Sequence, residues 1–330
     1  MSITLQNPDG RVAIMSGMTQ SRAGAAIHPK LAAFPKGFFT ALVERRMSMI
    51  QWLDIAATLG IEGVEMYPLF LPSLSSPANA ALRREAGGRG LAIPMMCHSP
   101  DFTIPEAAGR EAEIARSVAV IAATAELGGS FCRVLSGQNR PGLDEARALG
   151  WVVAAIESLL PVAARHGITL VIENHYKDGL WEYPEFARGR GRFREIVRAI
   201  PELRVQFDPS NAIIAGDDPL DLLAEVLPRV ATMHASDRYL EGGTVEDLRR
   251  LEADPVHGYA RILKHGVVGK GVNDYQAIFR ALAGAGFDGW ISIEDGEGPT
   301  VAEGAANLRA SAEFLRSLIA ARFGAEAGRA

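Results

Sequence analysis

The chain has 330 residues, of which 48% are hydrophobic and 22% charged, and its formal net charge is −5. This composition is typical of a globular protein with a large core. Lys and Arg are scattered, which argues against a nucleic-acid partner. No apolar run suggests a membrane span, and the first ten residues do not resemble a secretory signal. Two cysteines, Cys97 and Cys132, exclude a disulfide framework. We therefore expect a cytoplasmic protein.

Short apolar runs alternate with long helical stretches along the chain. Eight runs predict strands, at residues 12–15, 63–66, 92–96, 131–135, 168–172, 204–207, 230–233 and 290–293. Between them, apolar residues recur at helical spacing, and glycines such as Gly167 and Gly286 stand just before strands, where helices end. This alternation predicts a parallel sheet with helical crossovers, and eight units predict an α/β fold of the (β/α)8 TIM-barrel type.

A doubly wound open sheet is the competing fold. It usually shows a glycine-rich phosphate loop after its first strand, and residues 15–20 do not match one. No linker or low-complexity segment divides the chain, so we expect a single barrel domain over residues 1–330. Long loops are predicted at about 16–41, 174–190 and 235–270. Each follows a strand, which would place it at the C-terminal mouth of the barrel.

Four consecutive predicted strands end in a polar side chain that can bind a metal ion. Strands five to eight are followed in turn by Glu173, Asp208, His234 and Glu294. One such residue could be a cap or a solvated loop residue, but four of them converge on one side of a barrel mouth. Two unit charges 4 Å apart repel by about 4 kcal/mol at an effective dielectric near 20. The carboxyl groups therefore either hold protons, with raised pKa values, or surround one divalent ion.

The donor set indicates which ion would bind. Oxygen ligands with one imidazole favour Mn²⁺, with Mg²⁺ or Co²⁺ as alternatives, over structural zinc. After the eighth strand the residues are acidic, at Asp295 and Glu297, where many barrels hold a phosphate group. This favours an unphosphorylated sugar or glycoside as the substrate.

Several motifs resemble the xylose isomerase-like TIM barrels, a superfamily that includes sugar phosphate isomerases/epimerases and relatives of AP endonuclease family 2. The matching segments are residues 63–67, 171–175, 207–211, 233–237, 269–275 and 286–294. The run at 173–186 and the long segment 234–270 are also similar to the large subunit of bacterial C-glycoside deglycosidases. Such barrels often associate, so the resemblance implies a homo-oligomer, or a hetero-oligomer with a small subunit.

The resemblance implies that Glu173, Asp208, His234 and Glu294 bind the metal, and that Glu173 and Glu294 also transfer protons. The implied activity is isomerisation or epimerisation of a sugar through a metal-stabilised enediolate. The epimerase branch has a histidine where this chain has Asn211, so a simple ketose 3-epimerase is in doubt. The alternative is a lyase that cleaves a 3-oxo-glycoside by elimination. A DNA-repair endonuclease of this superfamily would need several more histidines for its metal cluster, and the chain has only seven in all. The complete set of metal ligands argues against a non-catalytic partner subunit.

Other polar residues near strand ends are candidates for substrate contact. His98 and His175 each either hydrogen-bond a substrate hydroxyl group, act as the base in an elimination, or support the metal ligands. Glu65 either binds substrate or pairs with a buried arginine. The remaining candidate substrate contacts, some of which could instead orient a ligand or form salt bridges, are Trp181, Asn211, Asp237, Arg238 and Lys270.

Overall fold

The computed structural model describes residues 28–74, 76–251 and 261–324. Eight parallel strands form one sheet: β1 Lys30–Ala33, β2 Gly63–Val64, β3 Met95–Cys97, β4 Phe131–Val134, β5 Thr169–Glu173, β6 Arg204–Phe207, β7 Val230–Ala235 and β10 Trp290–Ile293. Two further strands, β8 Arg238–Leu240 and β9 Leu263–His265, pair antiparallel as a separate two-stranded sheet.

The sheet runs in the order β2-β1-β10-β7-β6-β5-β4-β3. Parallel bridges from Gly63 to Ala92 and from Met66 to Met96 join its two end strands. The ring of eight parallel strands is therefore nearly closed, which confirms the predicted TIM barrel.

Helices follow the strands and cover the barrel. They are α1 Phe39–Val43, α2 Met49–Ala56, α3 Ser76–Gly88, α4 Ala107–Glu126, α5 Glu145–Arg165, α6 Arg190–Ala199, α7 Pro209–Ile214, α8 Pro219–Val226, α9 Val245–Leu251, α10 Tyr275–Gly284 and α11 Val301–Phe323. Many start at side-chain caps. Asp144, Asp218 and Asp274 each accept hydrogen bonds from the first turn of α5, α8 and α10.

Helix α5 is the one described helix that is long and apolar enough, by length and composition, to cross a membrane. Val152, Ile156 and Leu159 on one side of the helix are fully buried, and further apolar side chains of the helix are partly buried against the same core. The helix packs against β5 and between α4 and α6. Its hydrophobicity is therefore accounted for by its place in the helical layer of the barrel.

The structure differs from the sequence-based expectation at the first strand. The predicted strand at 12–15 lies outside the described residues. The sheet instead contains Lys30–Ala33, inside the segment 16–41 that we expected to be a loop. Its residues Leu31, Ala32 and Ala33 are buried, but alanine is depleted in strands and gives little sequence signal.

The other two predicted loops also follow strands. Residues 174–189 lie between β5 and α6 and contain only turns, bends and one bridge residue, as expected. The segment 235–270 is less irregular than predicted, because it contains strands β8 and β9 and helix α9.

Candidate metal centre

The four predicted ligands lie at the C-terminal ends of neighbouring strands. Glu173 is the last residue of β5, Asp208 follows β6 as the N-cap of α7, His234 lies in β7, and Glu294 follows β10. One ligand atom from each lies within 4.8 Å of those of the other three. All four residues are buried. The structure therefore brings together the set that the strand ends predicted.

His234 lies between the two glutamates. Its Nδ1 is 3.1 Å from Glu173 Oε1 and 3.1 Å from Glu294 Oε2. On the other side of the ring, Nε2 is 2.8 Å from Glu65 Oε2. A proton on Nε2 that is donated to Glu65 leaves the Nδ1 lone pair facing the cluster, which is the arrangement of a metal-binding histidine with a carboxylate behind it.

The partner of Glu65 corrects one alternative from the sequence. We expected Glu65 either to bind substrate or to pair with a buried arginine. The structure instead places its carboxylate against the imidazole ring of His234. The Cys97 thiol also lies 3.3 Å from Glu65 Oε2. Burial, followed by the charge of Glu65, raises the pKa of Cys97 to about 12. Without a metal ion, the thiol is thus kept protonated.

Two cationic side chains hold the outer oxygens of the glutamates. Arg133 Nη1 donates to Glu173 Oε2 at 2.7 Å, and both side chains are almost fully buried. Lys36 Nζ is 3.4 Å from Glu294 Oε1, in a more exposed position. Neither cation was predicted. The sequence does contain a signal for Arg133, because it is a charged residue inside an apolar strand. Successive side chains of a barrel strand face opposite sides, so Arg133 faces the barrel interior while Cys132 faces the helices.

Asp208 is held by neutral donors. Ser236 Oγ lies 2.7 Å from Oδ1 and 2.9 Å from Oδ2, and the Asn211 backbone N–H donates to Oδ1 at 2.8 Å. Asn211 Nδ2 also lies 3.4 Å from Glu173 Oε1. Burial, then the charges of Glu294 and Glu173, raises the pKa of Asp208 to about 7. Burial alone would raise the pKa of Glu173 too, but His234 and Arg133 together lower it to about 2.

These residues fit a divalent cation. Four buried carboxylates, from Glu65, Glu173, Asp208 and Glu294, share two cationic partners, Arg133 and Lys36. With a neutral histidine, as metal binding requires, and an ionised Asp208, two negative charges are left to be balanced. Without the ion, protons can take up this excess, because the charges of Glu173, Glu294 and Glu65 raise the pKa of His234 despite its burial, and burial raises that of Asp208. A buried, uncompensated charge is costly, and one divalent ion on three carboxylates and an imidazole nitrogen would remove the excess.

A cavity of about 200 Å³ opens above the cluster. Phe34, Phe39 and Tyr67 form an aromatic wall. The polar lining comprises Lys36, Thr40, Arg133, His175, Lys177, Asp178, Glu294 and Glu297. Three larger cavities lie elsewhere: one of about 340 Å³ beside α8 and α10, one of about 330 Å³ beneath the N-terminal ends of the strands, and one of about 270 Å³ between the starts of α5 and α6. None of the three contains a ligand of the cluster, so the smaller cavity is the candidate substrate site.

His98 lies away from the cluster. Its Nε2 is 3.0 Å from Ser117 Oγ on α4, and that hydroxyl donates to the Glu113 carbonyl oxygen. Because the Ser117 proton is already donated, His98 Nε2 is the donor in this pair. Burial, then Arg116 and Arg133, lowers the pKa of His98 to about 3. The structure thus places His98 between the barrel and its helical layer.

His175 is in the cavity wall, with a carboxylate behind it. Its Nδ1 is 3.5 Å from Oε2 of Glu185, a residue that sequence reasoning missed. The other oxygen of Glu185 accepts hydrogen bonds from the backbone N–H and the hydroxyl group of Ser136. Glu185 lies ten residues beyond His175 in an irregular loop, so no periodicity could have paired them.

Arg238 is the first residue of β8, and Asp237 directly precedes it. The Asp237 carboxylate accepts backbone N–H bonds from Gly269, Gly271 and Asn273, at 2.8 to 3.2 Å. Its own N–H donates to Asp295, which also contacts His265. Arg238 is buried in β8. The structure therefore places Asp237 as an anchor for residues 269–273, and not beside His234.

The last two candidate contacts are farther from the ligands. Lys270 is exposed, and Trp181 is half-buried. Neither lines the cavity described above. The structure does not bring them together with the cluster.

An eight-stranded barrel with a cluster of carboxylates and one histidine at its mouth is an arrangement found in enzymes. Comparison of the sequence with known families shows which family this barrel belongs to. Residues 53–318 match the family described as xylose isomerase-like TIM barrel. The chain belongs to this family, which confirms the resemblance seen in the motifs.

The relatives within the family carry different names. An inosose dehydratase from Geobacillus thermodenitrificans is 23% identical over 156 residues, 46% of this chain and 48% of that protein. The chain thus spans about half the length, or less, of the curated relatives it matches. Among solved structures, a xylose isomerase domain protein from Planctomyces limnophilus has a TM-score of 0.67 at 15% identity, covering 90% of this chain and 99% of that one.

A second solved structure is a D-psicose 3-epimerase from Clostridium cellulolyticum H10, with D-tagatose. It also has a TM-score of 0.67 at 15% identity, and the match covers 88% of this chain and 99% of that one. At such low identity these structures show a shared fold. The chain therefore has the fold of sugar isomerases and epimerases, and its sequence relatives include a dehydratase.

Proposed function

We propose that this chain is a divalent-metal-dependent enzyme that removes a proton from the carbon beside a carbonyl group of a neutral sugar or cyclic polyol. The observation that carries the proposal is the convergence of Glu173, Asp208, His234 and Glu294 within 4.8 Å, below an open cavity. Isomerisation through an enediolate, epimerisation beside a carbonyl group and elimination beside a carbonyl group all begin with this proton removal.

The four residues would hold the cation, with Mn²⁺ as the first choice and Mg²⁺ or Co²⁺ as alternatives. The cation would supply electrostatic stabilisation to the enediolate oxygen as negative charge develops there. Glu65 fixes the imidazole of His234, and Ser236 and Asn211 fix the carboxylate of Asp208.

The two glutamates have unequal surroundings. Glu173 forms a buried 2.7 Å ion pair with Arg133, whereas Glu294 lines the cavity with a longer contact to Lys36. The pKa of both carboxyl groups lies below its ordinary value. Burial would raise it, but His234 and Arg133 lower it for Glu173, and Lys36 and His234 lower it for Glu294. Access to the substrate therefore separates the two residues. Because Glu294 lines the cavity, we assign proton removal to Glu294 and metal binding alone to Glu173, in place of the symmetric role that the resemblance implied.

The substrate class follows from charge and volume. A divalent ion balances the excess charge of the cluster, so no anionic group of the substrate is needed. The cavity of about 200 Å³ is below the roughly 300–1,000 Å³ of sites for drug-sized ligands, which suits one sugar or polyol ring. Phe34, Phe39 and Tyr67 can pack against its C–H face, while His175 binds a hydroxyl group.

Isomerisation or epimerisation is the first candidate for the net reaction, in keeping with the fold. Elimination is the second candidate. Epimerisation by two carboxylates needs a second free base, whereas Glu173 is in an ion pair with Arg133. In an elimination, the electrons of the broken C–H bond form a C=C bond. The C–O bond of the neighbouring carbon breaks, and the departing oxygen takes up a proton. The name of the dehydratase relative agrees with this alternative.

A substrate panel with mass detection tests the proposal. Metal-loaded enzyme is incubated with ketoses, 3-oxo-glycosides and keto-cyclitols, and products are compared with those of Glu294→Gln. Isomerisation conserves the substrate mass, whereas elimination releases water or an aglycone. Turnover by wild type and not by the variant supports the proposal. Turnover that is independent of added metal and of Glu294 would refute it.

Association and location are also proposals. We propose that the barrel forms a homo-oligomer, or a hetero-oligomer with a small subunit, and acts in the cytoplasm without nucleic-acid or membrane partners. Light scattering of the purified chain gives its mass in solution and tests the homo-oligomer directly. A monomeric mass, together with activity in the absence of any other protein, would contradict both forms of association.

A further inference from the structure

We infer that Glu185 is a positioning residue, which holds the imidazole of His175 so that its Nε2 meets a hydroxyl group of a neutral polyol substrate. The inference rests on the proposed function for the identity of that substrate. It begins from the loop between β5 and α6, which carries both residues.

The backbone of Glu185 is fixed between two loops at the barrel mouth. Its N–H donates to the Tyr176 carbonyl oxygen at 2.8 Å, and residue 185 forms a bridge with Gln138. The Gln138 side chain in turn accepts hydrogen bonds from the backbone N–H groups of Glu182 and Tyr183, at 3.0 Å each. The loop therefore returns to the strand ends and delivers Glu185 beneath His175.

The carboxylate of Glu185 is fully buried and has two distinct oxygens. Oε1 accepts from Ser136 N at 2.9 Å and from Ser136 Oγ at 3.0 Å. Oε2 is buried and makes no hydrogen bond within the described residues. Its ion-pair partner in the described part of the chain is His175, with Nδ1 at 3.5 Å. A buried carboxylate is costly without such a partner, which ties Glu185 to this imidazole.

The same geometry directs the other nitrogen of the ring. Nδ1 and Nε2 point away from each other, and His175 lines the cavity together with Arg133 and Glu294. With Nδ1 facing Glu185, Nε2 is left for the cavity. In its neutral form the ring then carries its proton on Nδ1, and Nε2 can accept a hydrogen bond from a substrate hydroxyl. The 3.5 Å separation is long, as is common for such contacts before substrate binds.

The test uses the full-length, Mg²⁺-loaded chain and three substitutions. Glu185→Gln removes the charge but keeps the shape, Glu185→Asp restores the charge, and Glu182→Gln is a control in the same loop with an exposed side chain. Steady-state kinetics are measured on a substrate identified in the panel. Imidazole ¹⁵N NMR at alkaline pH gives the tautomer, with His175→Gln assigning the signal.

We expect Glu185→Gln to lower kcat about 10- to 100-fold, the effect of losing a carboxylate behind a functional histidine, with a smaller change in KM. The His175 signals should move away from the Nδ1–H tautomer. Glu185→Asp should recover part of the kcat and part of the Nδ1–H signal of His175. Glu182→Gln should match wild type in both measurements. Unchanged His175 signals in Glu185→Gln would overturn the inference, even if activity fell, because Glu185 would then only support the loop.

Two further measurements keep the test decisive. If Glu185→Gln does not fold, as judged by circular dichroism, Ser136→Ala loosens the same carboxylate by removing one hydrogen bond and should shift the His175 signals in the same direction. If wild type turns over no substrate, the proposed function fails. The NMR comparison still decides whether Glu185 sets the orientation of His175.

Discussion

Arg133 on β4 and Glu173 on β5 form a buried ion pair, with 2.7 Å between Nη1 and Oε2. Removing one partner of such a pair leaves an uncompensated charge in the interior. We expect Arg133→Met to lower the free energy of unfolding by about 3–5 kcal/mol, measured by urea denaturation of the metal-free protein. Arg133→Lys keeps the charge and should lose less. A loss within about 1 kcal/mol for Arg133→Met would show that Glu173 is not held by this pair.

Metal removal should destabilise the protein, because the ion binds the four ligands that only the folded chain brings together. At 100 times its Kd, a bound ligand contributes about 2.7 kcal/mol, so we expect EDTA to lower the Tm by roughly 5 °C and Mn²⁺ to restore it. Differential scanning calorimetry measures this. Asp208→Asn should show a much smaller response to Mn²⁺. An equal response in wild type and Asp208→Asn would place the bound ion elsewhere.

Glu65 should set the affinity for the metal through His234. Glu65→Gln keeps an acceptor for the Nε2–H group but removes the charge that makes the imidazole a stronger ligand. We expect Mn²⁺ affinity to fall about 10- to 100-fold, measured by titration calorimetry, with the fold retained. Glu157→Gln, on the exposed side of α5, is the matched control. Equal Mn²⁺ affinities for Glu65→Gln and wild type would argue against His234 as a ligand.

Glu294 is the proposed base, so its removal should stop proton transfer. We expect Glu294→Gln to lower kcat at least 10²-fold, the lower end of the usual contribution of a general base. Wash-in of deuterium beside the carbonyl group reports the same step without product formation and should be lost in parallel. Near-normal exchange in Glu294→Gln would move the base to another residue.

His98 should affect acid stability more than activity. Its pKa is about 3 in the folded chain because of burial, then Arg116 and Arg133, against 6.5 as the ordinary value. Between these values the unfolded chain binds the extra proton, so the free energy of unfolding falls as pH falls below 6.5, by up to about 1.4 kcal/mol per unit. His98→Gln removes this contribution while keeping a donor for Ser117.

Urea denaturation at pH 8 and pH 5.5 checks the prediction. Wild type should lose more stability than His98→Gln between the two pH values, by about 1.4 kcal/mol. The variant should keep kcat within a few-fold. A variant with unchanged acid sensitivity and a large loss of kcat would return His98 to the role in proton transfer that the sequence suggested.

The four candidate ligands could be predicted from the sequence because each directly follows an apolar run that predicts a strand. In a parallel barrel all such positions meet at one end, so no knowledge of the helices was needed. Strand β6 was predicted at its observed bounds, Arg204–Phe207, and so was β10, Trp290–Ile293. The start of β3 was predicted three residues early, because Pro94 has no N–H group to donate.

The partners of these ligands were harder to find. Arg133 lies inside a strand and could have been found by following the alternation of inward and outward residues. Glu185 is different, because its contact with His175 depends on the path of an irregular loop through Gln138 and Tyr176. Strand β1 was missed since two of its four residues are alanine, whose small side chains suit the barrel interior but carry no strand signal.

The junction between β2 and β3 is the seam of the barrel. It is held by isolated bridges, and its backbone bonds include Val64 N to the Ala92 oxygen at 2.9 Å and Cys97 N to the Met66 oxygen at 2.7 Å. Local opening at this short seam disrupts fewer ladder bonds than opening between longer strands, so its amides should exchange with solvent sooner than those of β5. Such opening would draw Glu65 and Cys97 away from His234. Local opening of the barrel between β2 and β3 would then be coupled to the strength with which Glu65 holds the imidazole of His234.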